Sequence, residues 1–221
     1  MIEQLNKYID HTVLKPTTSN ADIEKLCNEA ITYDFVAVCV PQSYVKKAHQ
    51  LLEHSATQVA TVIGFPFGYN TINTKLLEIE TALNDGADEI DIVQNLTAVV
   101  NNDWEYIEQE IKLCTQLVHQ SNKKIKVIIE SGILSDEQII HSTEICNKYD
   151  VDFVKTSTGY AEVGATAHAV ALMKAHISKP HIGIKASGGV RTLAFAEELI
   201  QLGATRIGTS SGINLVNEAK V

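Results

Sequence analysis

The chain has 221 residues, of which 45% are apolar, and it carries a formal net charge of -9 at neutral pH. This length supports one large hydrophobic core, and the chain contains no continuous apolar run of the length that crosses a membrane. The acidic balance, without any basic cluster, argues against binding to nucleic acid or to an anionic membrane.

Eight short runs rich in β-branched residues recur along the chain, with helix-like segments between them. In chain order they are YIDHTVL from residue 8, FVAVCV from 35, QVATVIGF from 58, EIDIVQN from 89, KIKVIIE from 124, DFVKTS from 152, HIGIKAS from 181 and RIGTSS from 206. Their starts are roughly 23 to 35 residues apart, which is the length of one strand, a crossover helix and two loops. Successive strands are therefore predicted to be parallel.

The segments between these runs carry helix signals at their ends. Ser135 and Gln138 form a predicted capping box at the start of one segment, and Gly86 and Gly203 follow the last helical residues of two others. Eight alternating β and α units favour an α/β fold, a single-domain (β/α)8 TIM barrel, over a doubly wound sheet. We expect the barrel to span residues 1–221, with a short helix at about residues 1–7 before the first strand.

Three charged residues stand within the predicted strands: Asp91 in EIDIV, Lys155 in FVKTS and Lys185 in IGIKAS. Strand alternation places their apolar neighbours on the opposite face, under the helices, so the three charges are predicted to point into the barrel. A structural ion-pair network is one interpretation. Against it, one carboxylate and two lysines leave one ammonium without its own counter-ion, which is costly inside a protein.

The functional interpretation starts from that additional lysine. A lysine attacks a carbonyl only as the neutral amine, and a lysine with a pKa of about 10.4 is neutral roughly once in 2,500 molecules at pH 7. A second ammonium about 4 Å away lowers that pKa by about three units at an effective dielectric constant near 20. On this reasoning Lys185 activates Lys155, and Asp91 acts as an acid or base. The constellation is typical of a Schiff-base enzyme.

Segments rich in glycine and hydroxyl groups follow the last three strands: TSTGY, ASGGV and GTSSG, which begin at residues 156, 186 and 208. In TIM barrels the loops after the seventh and eighth strands frequently bind phosphate with backbone N–H groups. Gly188 and Gly189 allow the main chain to approach an anion closely, and Ser210 and Ser211 add hydroxyl donors. Each segment alone is ordinary loop chemistry, but together they predict a phosphate site.

The sequence resembles the deoxyribose-phosphate aldolases, which are class I aldolases with a (β/α)8 fold. The resemblance runs through nearly the whole chain, in YIDHTVLKP, VCV, TVIGFPFG, GADEIDIV, KVIIESGIL, DFVKTSTGY, IKASGGVR and GATRIGTSSG. It implies that Lys155 forms the Schiff base and that Asp91 and Lys185 act as proton donors and acceptors. The substrate-binding residues that it implies lie in and after the strands: Asp10, Thr12, Cys39, Thr156, Gly159, Gly188, Gly189, Gly208, Ser210 and Ser211.

The activity implied by the resemblance is the reversible cleavage of 2-deoxy-D-ribose 5-phosphate to D-glyceraldehyde 3-phosphate and acetaldehyde, in the catabolism of deoxyribose phosphates. The resemblance implies neither a metal nor an organic cofactor. Members are often homodimers, but the sequence itself leaves the oligomeric state open. Four scattered cysteines and a start without signal-peptide features add the expectation of a cytoplasmic protein.

Two positions depart from the family pattern. Some members have a lysine where this chain has Tyr160, and many end in a tail with a terminal tyrosine where this chain reads NLVNEAKV. We therefore expect one cationic phosphate contact fewer and a slower turnover. His11 and His168 are expected to be surface or hydrogen-bonded residues rather than metal ligands.

Two other functions stay open at the level of sequence. One is a transaldolase-like Schiff-base enzyme that acts on a longer sugar phosphate, which product analysis with acetaldehyde as the sole donor separates from the first activity. The other is a catalytically silent barrel that senses a sugar phosphate. A sensor would bind its ligand without forming an imine, and the presence of both Lys155 and Lys185 counts against it.

Overall fold

The computed structural model describes residues 2–220. Its eight strands close into a barrel in which every strand runs parallel to its neighbours in chain order and the last pairs with the first. The strands are β1 (Ile9–Thr12), β2 (Ala37–Val40), β3 (Gln58–Ile63), β4 (Glu89–Val93), β5 (Lys124–Ile128), β6 (Phe153–Lys155), β7 (Gly183–Ser187) and β8 (Arg206–Thr209). The eight predicted strands and the (β/α)8 TIM barrel are confirmed.

Helices follow the strands along the chain and surround the barrel. They are α1 (Asn20–Tyr33), α2 (Val45–Leu52), α3 (Ile72–Asn84), α4 (Leu96–Val100), α5 (Trp104–Gln120), α6 (Asp136–Lys148), α7 (Ala167–His176), α8 (Leu193–Gln201) and α9 (Gly212–Glu218). The capping box of Ser135 and Gln138 begins α6, as predicted. Gly86 and Gly203 have φ values of 101° and 115° after α3 and α8, the left-handed conformation that glycine favours at a helix end.

Short 3-10 helices occupy three further segments, Leu5–Tyr8, Gln42–Tyr44 and Ser131–Ile133. A short helix was predicted at about residues 1–7. Met1 lies outside the described residues, and a 3-10 helix, Leu5–Tyr8, directly precedes β1. No helix within residues 2–220 has both the length and the apolar character needed to cross a membrane.

The main apolar core lies between the barrel and its helices. Ile90, Ile92, Val154 and Ile184 are buried in it, on the strand faces opposite the predicted interior charges. A second, smaller apolar cluster consists of Cys39, Ala60 and Val62, with Leu14 and Phe65 packed against it. Because side chains alternate along a strand, this cluster faces the inside of the barrel near the carboxyl ends of β2 and β3. The interior is therefore polar on one side and apolar on the other.

Candidate active site

The three charges predicted to share the barrel interior do meet there. Lys155 Nζ lies 2.8 Å from Asp91 Oδ2, and Lys185 Nζ lies 2.7 Å from the same oxygen. Lys155 and Lys185 are register partners on β6 and β7, whereas Asp91 reaches them from β4, two strands from β6 and three from β7. The side chains of Asp91 and Lys185 are fully buried, and that of Lys155 is 3% exposed. One carboxylate oxygen thus contacts the Nζ atoms of two lysines.

Four further charged residues join this arrangement. Lys126 Nζ lies 2.6 Å from Asp91 Oδ1 and 2.6 Å from Glu89 Oε2. Arg206 Nη2 lies 2.6 Å from Glu89 Oε2 and 2.7 Å from Asp10 Oδ1. Lys185 Nζ completes the set, 2.5 Å from Asp10 Oδ2. We call the seven residues the central charge network: Asp10, Glu89, Asp91, Lys126, Lys155, Lys185 and Arg206.

The sequence reasoning missed Lys126, Glu89 and Arg206, and counted one carboxylate where the structure has three. That count was wrong because these residues stand at or near strand starts, where charges usually face solvent. Strand alternation could have predicted two of these interior positions. Glu89 precedes Asp91 by two residues and so lies on the same strand face, and Lys126 lies between the apolar residues Ile125 and Val127. Asp10, which the resemblance implied as a substrate-binding residue near Asp91 and Lys185, lies within the network and is ion-paired with Lys185.

The charges of the network balance when one lysine is neutral. Three carboxylates face three lysines and one arginine, so full ionisation leaves one positive charge in excess in a water-poor interior. Burying uncompensated charge costs several kcal/mol. The lysine nearest the barrel mouth is Lys155, the last residue of β6, and its loss of a proton makes the network neutral.

Shifts in pKa agree with this assignment. Burial lowers the pKa of Lys155, the ammonium of Lys185 lowers it further, and the Asp91 carboxylate acts in the opposite direction. Burial also disfavours the charge on Lys185, but the carboxylates of Asp10 and Asp91 outweigh it and raise that pKa above the usual range. Burial would raise the pKa of Asp91, yet the ammonium groups of Lys126 and Lys185, together with that of Lys155 whenever it carries its proton, hold it well below its ordinary value. Desolvation is thus the main cause of the lowered pKa of Lys155. The sequence had suggested the neighbouring Lys185 as the main cause.

A cavity of about 650 Å³ opens above the network at the carboxyl ends of the strands. Lys155 lies in its wall together with six of the predicted substrate-binding residues, which are Thr12, Gly159, Gly188, Gly189, Gly208 and Ser210. Gly159, Gly188 and Gly189 have φ values of 86°, 85° and 81°, a left-handed conformation that is costly for residues with a side chain. An added Cβ on Gly189 would meet nothing within 4 Å, so its backbone is open to a ligand.

The other predicted binding residues, Asp10, Cys39, Thr156 and Ser211, are not among the residues that line this cavity. Asp10 belongs to the central charge network, and Cys39 is fully buried in the small apolar cluster. The Thr156 hydroxyl accepts a hydrogen bond from the Ser187 backbone at 3.0 Å, which ties the loop after β6 to the end of β7. Ser211 precedes α9, and its backbone N–H donates to Thr209 Oγ1 at 2.9 Å. Asp10, Cys39 and Thr156 are fully buried, whereas Ser211 is partly exposed.

The cavity wall also contains residues that the sequence reasoning did not assign to binding. Arg191 follows the Gly188–Gly189 pair, and Tyr160 follows Gly159. His11 lies in the wall as well, with its Nε2 2.8 Å from Glu29 Oε2, while His168 pairs with Asp136 at the surface. Within residues 2–220, no three His, Cys, Asp or Glu side chains are grouped as a metal site requires.

A comparison with known protein families matches residues 5–217 to the DeoC/LacD family aldolases. The chain belongs to this aldolase family. Its curated relatives include the deoxyribose-phosphate aldolase of Caldicellulosiruptor saccharolyticus, 46% identical over 217 residues that cover 98% of each chain. The deoxyribose-phosphate aldolase of Thermococcus gammatolerans is 45% identical over 216 residues, 97% of this chain and 96% of its own.

A solved structure agrees with the family assignment. The deoxyribose-phosphate aldolase of Aeropyrum pernix, described as a tetramer, matches with a TM-score of 0.90 and 31% identity. The match covers 98% of this aldolase and 91% of that chain. The barrel, with its interior charges and glycine-rich mouth, is therefore that of a lyase in this family.

Proposed function

We propose that this aldolase reversibly cleaves 2-deoxy-D-ribose 5-phosphate to D-glyceraldehyde 3-phosphate and acetaldehyde through a Schiff base on Lys155. The observation that carries the proposal is a buried lysine with a lowered pKa in the wall of a cavity at the carboxyl ends of the barrel strands. A neutral amine in such a position is a nucleophile toward an aldehyde. The similarity to deoxyribose-phosphate aldolases supports the identity of that aldehyde.

The first step joins Lys155 to the substrate. The neutral amine attacks C1 of the open-chain sugar, and the carbinolamine takes up one proton and loses water to leave an iminium ion. The iminium restores the positive charge that the network lacked when Lys155 was neutral. Asp91 Oδ2, 2.8 Å from Lys155 Nζ, stabilises that charge, so burial activates the amine and the carboxylate stabilises its product.

The second step breaks the bond between C2 and C3. The C3 hydroxyl gives up its proton as its oxygen becomes the aldehyde of glyceraldehyde 3-phosphate, and the bonding electrons move into the iminium to form an enamine. The enamine then takes a proton at C2, and water releases acetaldehyde and free Lys155. We assign these proton transfers to Asp91 and Lys185, 2.7 Å apart, acting through water because both are fully buried.

The phosphate group is proposed to bind at the glycine-rich side of the mouth. Gly188 and Gly189 expose backbone in the cavity wall, and Ser210 adds a hydroxyl. Arg191 supplies a cation next to the glycine pair, which compensates for the tyrosine at position 160. This local positive charge is needed because the chain as a whole carries a net charge of -9.

The assembly and compartment belong to the same proposal. The homologue from Aeropyrum pernix is described as tetrameric, and for this chain we propose a homodimer, which light scattering would test. The free and buried thiols of its four cysteines support a reducing cytoplasm, where it would act in deoxyribose phosphate catabolism.

A cleavage assay tests the activity directly. Purified protein is incubated with 2-deoxy-D-ribose 5-phosphate, and the release of acetaldehyde and glyceraldehyde 3-phosphate is followed separately. We expect equal amounts of both products from the wild type and none from Lys155→Met. Lys148→Met, which removes an ammonium paired with Glu108 at the surface, should retain full activity. If the protein instead transfers a longer unit from a longer sugar phosphate and does not use acetaldehyde as a donor, it is the transaldolase-like enzyme.

A further inference from the structure

Glu130 is a buried residue in an unfavourable backbone conformation. Among residues 2–220, six residues other than glycine have a positive φ, and five of them are exposed at the surface. Glu130 is the sixth, with a φ of 56° and 3% of its surface exposed. The left-handed conformation is costly for a residue with a side chain, so the surrounding structure must hold Glu130 in place.

This conformation belongs to an extra residue just beyond the end of β5. The Ile129 N–H donates to the Lys155 carbonyl oxygen at 3.0 Å. The Ser131 N–H donates to the next carbonyl oxygen, that of Thr156, at 2.8 Å. In a regular parallel pair both strands advance by two residues between such bonds, whereas here the chain after β6 advances by one. Glu130 therefore stands in a β-bulge, a feature that often directs a side chain toward an active site.

Both oxygens of the Glu130 carboxylate contact the same residue, Thr158, in the loop after β6. The Thr158 N–H donates to Oε1 at 3.1 Å, and the Thr158 hydroxyl donates to Oε2. Burial raises the pKa of Glu130, and the hydrogen bonds from Thr158 act in the opposite direction because they stabilise the ionised carboxylate. The Tyr160 N–H in turn donates to Thr158 Oγ1 at 3.1 Å. The carboxylate therefore fixes the loop from Thr158 to Tyr160 at its base.

This loop packs against the glycine pair that is proposed to bind phosphate. Thr158 and Gly159 lie in the cavity wall. A Cβ built on Gly188 would lie 3.5 Å from the Cα of Gly159, so the two main chains are close neighbours and a shift of one would displace the other. Lys155 is held separately, because its carbonyl oxygen accepts a hydrogen bond from the Ile129 backbone.

We propose that Glu130 is a positioning residue, which holds the loop after β6 in the conformation that binds the phosphate group of the substrate. This inference rests on the proposed function, in which that phosphate lies at Gly188 and Gly189. Glu130 acts through Thr158, whereas Lys155 is held by hydrogen bonds between strands. Loss of the Glu130 carboxylate should therefore weaken recognition of the phosphate group and leave imine formation intact.

The test compares phosphate recognition with imine formation. Wild type, Glu130→Gln and Glu130→Ala are assayed for cleavage of 2-deoxy-D-ribose 5-phosphate and of unphosphorylated 2-deoxy-D-ribose, and the ratio of the two kcat/KM values gives the phosphate preference. The same proteins are incubated with acetaldehyde alone and reduced with borohydride, and mass spectrometry gives the rate of adduct formation. Glu53→Gln is the matched control, because it makes the same change at an exposed carboxylate that follows α2.

We expect Glu130→Ala to lower the phosphate preference about tenfold, because it removes two hydrogen bonds that fix the loop. Glu130→Gln keeps one carbonyl oxygen for the Thr158 N–H and should lower the preference about threefold. The rate of adduct formation should stay unchanged in both variants, and Glu53→Gln should change neither quantity. An unchanged preference in both Glu130 variants, or a fall in adduct formation as large as the fall in cleavage, would overturn the inference. A wild type without a preference for the phosphorylated sugar, or without an acetaldehyde adduct, would refute the proposed function instead.

Discussion

Replacement of Lys185 by methionine tests how the interior charges activate Lys155. Methionine has a similar length but no charge, so the variant removes one ammonium and leaves the shape of the barrel interior nearly intact. Three carboxylates then face Lys126, Lys155 and Arg206, and the network is neutral only when Lys155 is protonated. The pKa of Lys155 is therefore expected to rise in this variant.

The distances within the network set the size of that rise. Lys155 Nζ and Lys185 Nζ lie 2.8 and 2.7 Å from the same oxygen of Asp91, so the two nitrogens are separated by at most the sum of these distances. Two unit charges about 5.5 Å apart repel each other by about 3 kcal/mol at an effective dielectric constant of 20. This energy corresponds to an increase of about two units in the pKa of Lys155.

The pH dependence of adduct formation with acetaldehyde and borohydride reports this pKa, because only the neutral amine reacts. The rate should rise with pH to a plateau. The midpoint of this rise should lie about two pH units higher in Lys185→Met than in the wild type. The midpoint is independent of any loss of proton transfer, which lowers the plateau alone. Lys148→Met removes a surface ammonium that is paired with Glu108, and should leave the midpoint in place. An unchanged or lower midpoint in Lys185→Met would refute the charge-coupling argument.

Three further variants test other parts of the account. Because burial lowers the pKa of Lys155, the unfolded chain keeps the proton of this residue between the lowered pKa and about pH 10.4, and the contribution of Lys155 to stability rises with pH over that interval. Urea unfolding at pH 7 and pH 10 should therefore show a change in stability with pH that is more favourable in the wild type than in Lys155→Met, and an equal change in both proteins would contradict this expectation. Arg206→Met removes the guanidinium that pairs with Asp10 and Glu89, and should lower the free energy of unfolding by about 3 kcal/mol. A loss below about 1 kcal/mol would show that the remaining lysines compensate the two carboxylates. Gly189→Ala should raise KM for 2-deoxy-D-ribose 5-phosphate but not for unphosphorylated 2-deoxy-D-ribose, and equal effects on both sugars would exclude a phosphate role for this loop.

The fold followed from the sequence because its signals are local. Runs of β-branched residues at regular intervals predict parallel strands joined by helices, and the capping box at Ser135 is visible in four consecutive letters. The strands close into the barrel because each buries its outer residues under a helix, as Ile90 and Ile92 do. None of these inferences required knowledge of contacts between distant side chains.

The interior of the barrel could be predicted only in part. Asp91, Lys155 and Lys185 interrupt apolar runs, so their burial was evident from the sequence. Glu89 and Arg206 stand at the first positions of β4 and β8, where a charged residue does not distinguish a barrel interior from a solvent-exposed strand end. Their burial depends on the register of strands that are far apart in sequence.

The cause of the lowered pKa of Lys155 depends on the same long-range geometry. Sequence reasoning supplied a neighbouring lysine, but the depth of Lys155 and its contact with Asp91 arise only when the barrel closes. Burial and Lys185 lower the pKa, whereas Asp91 raises it, and the balance among them requires three-dimensional distances. The hydrogen bond from the Tyr160 hydroxyl to the Leu14 carbonyl oxygen could not be predicted from the sequence either, because 146 residues separate the two.

Identification of the modified lysine shows whether Lys155 forms the Schiff base. The protein is treated with acetaldehyde and borohydride, digested, and sequenced by mass spectrometry to locate the reduced ethyl adduct among its lysines. We expect one dominant adduct, on Lys155, that disappears in Lys155→Met while the protein stays folded. A dominant adduct on Lys126, Lys185 or a surface lysine, or one that persists in Lys155→Met, would contradict it.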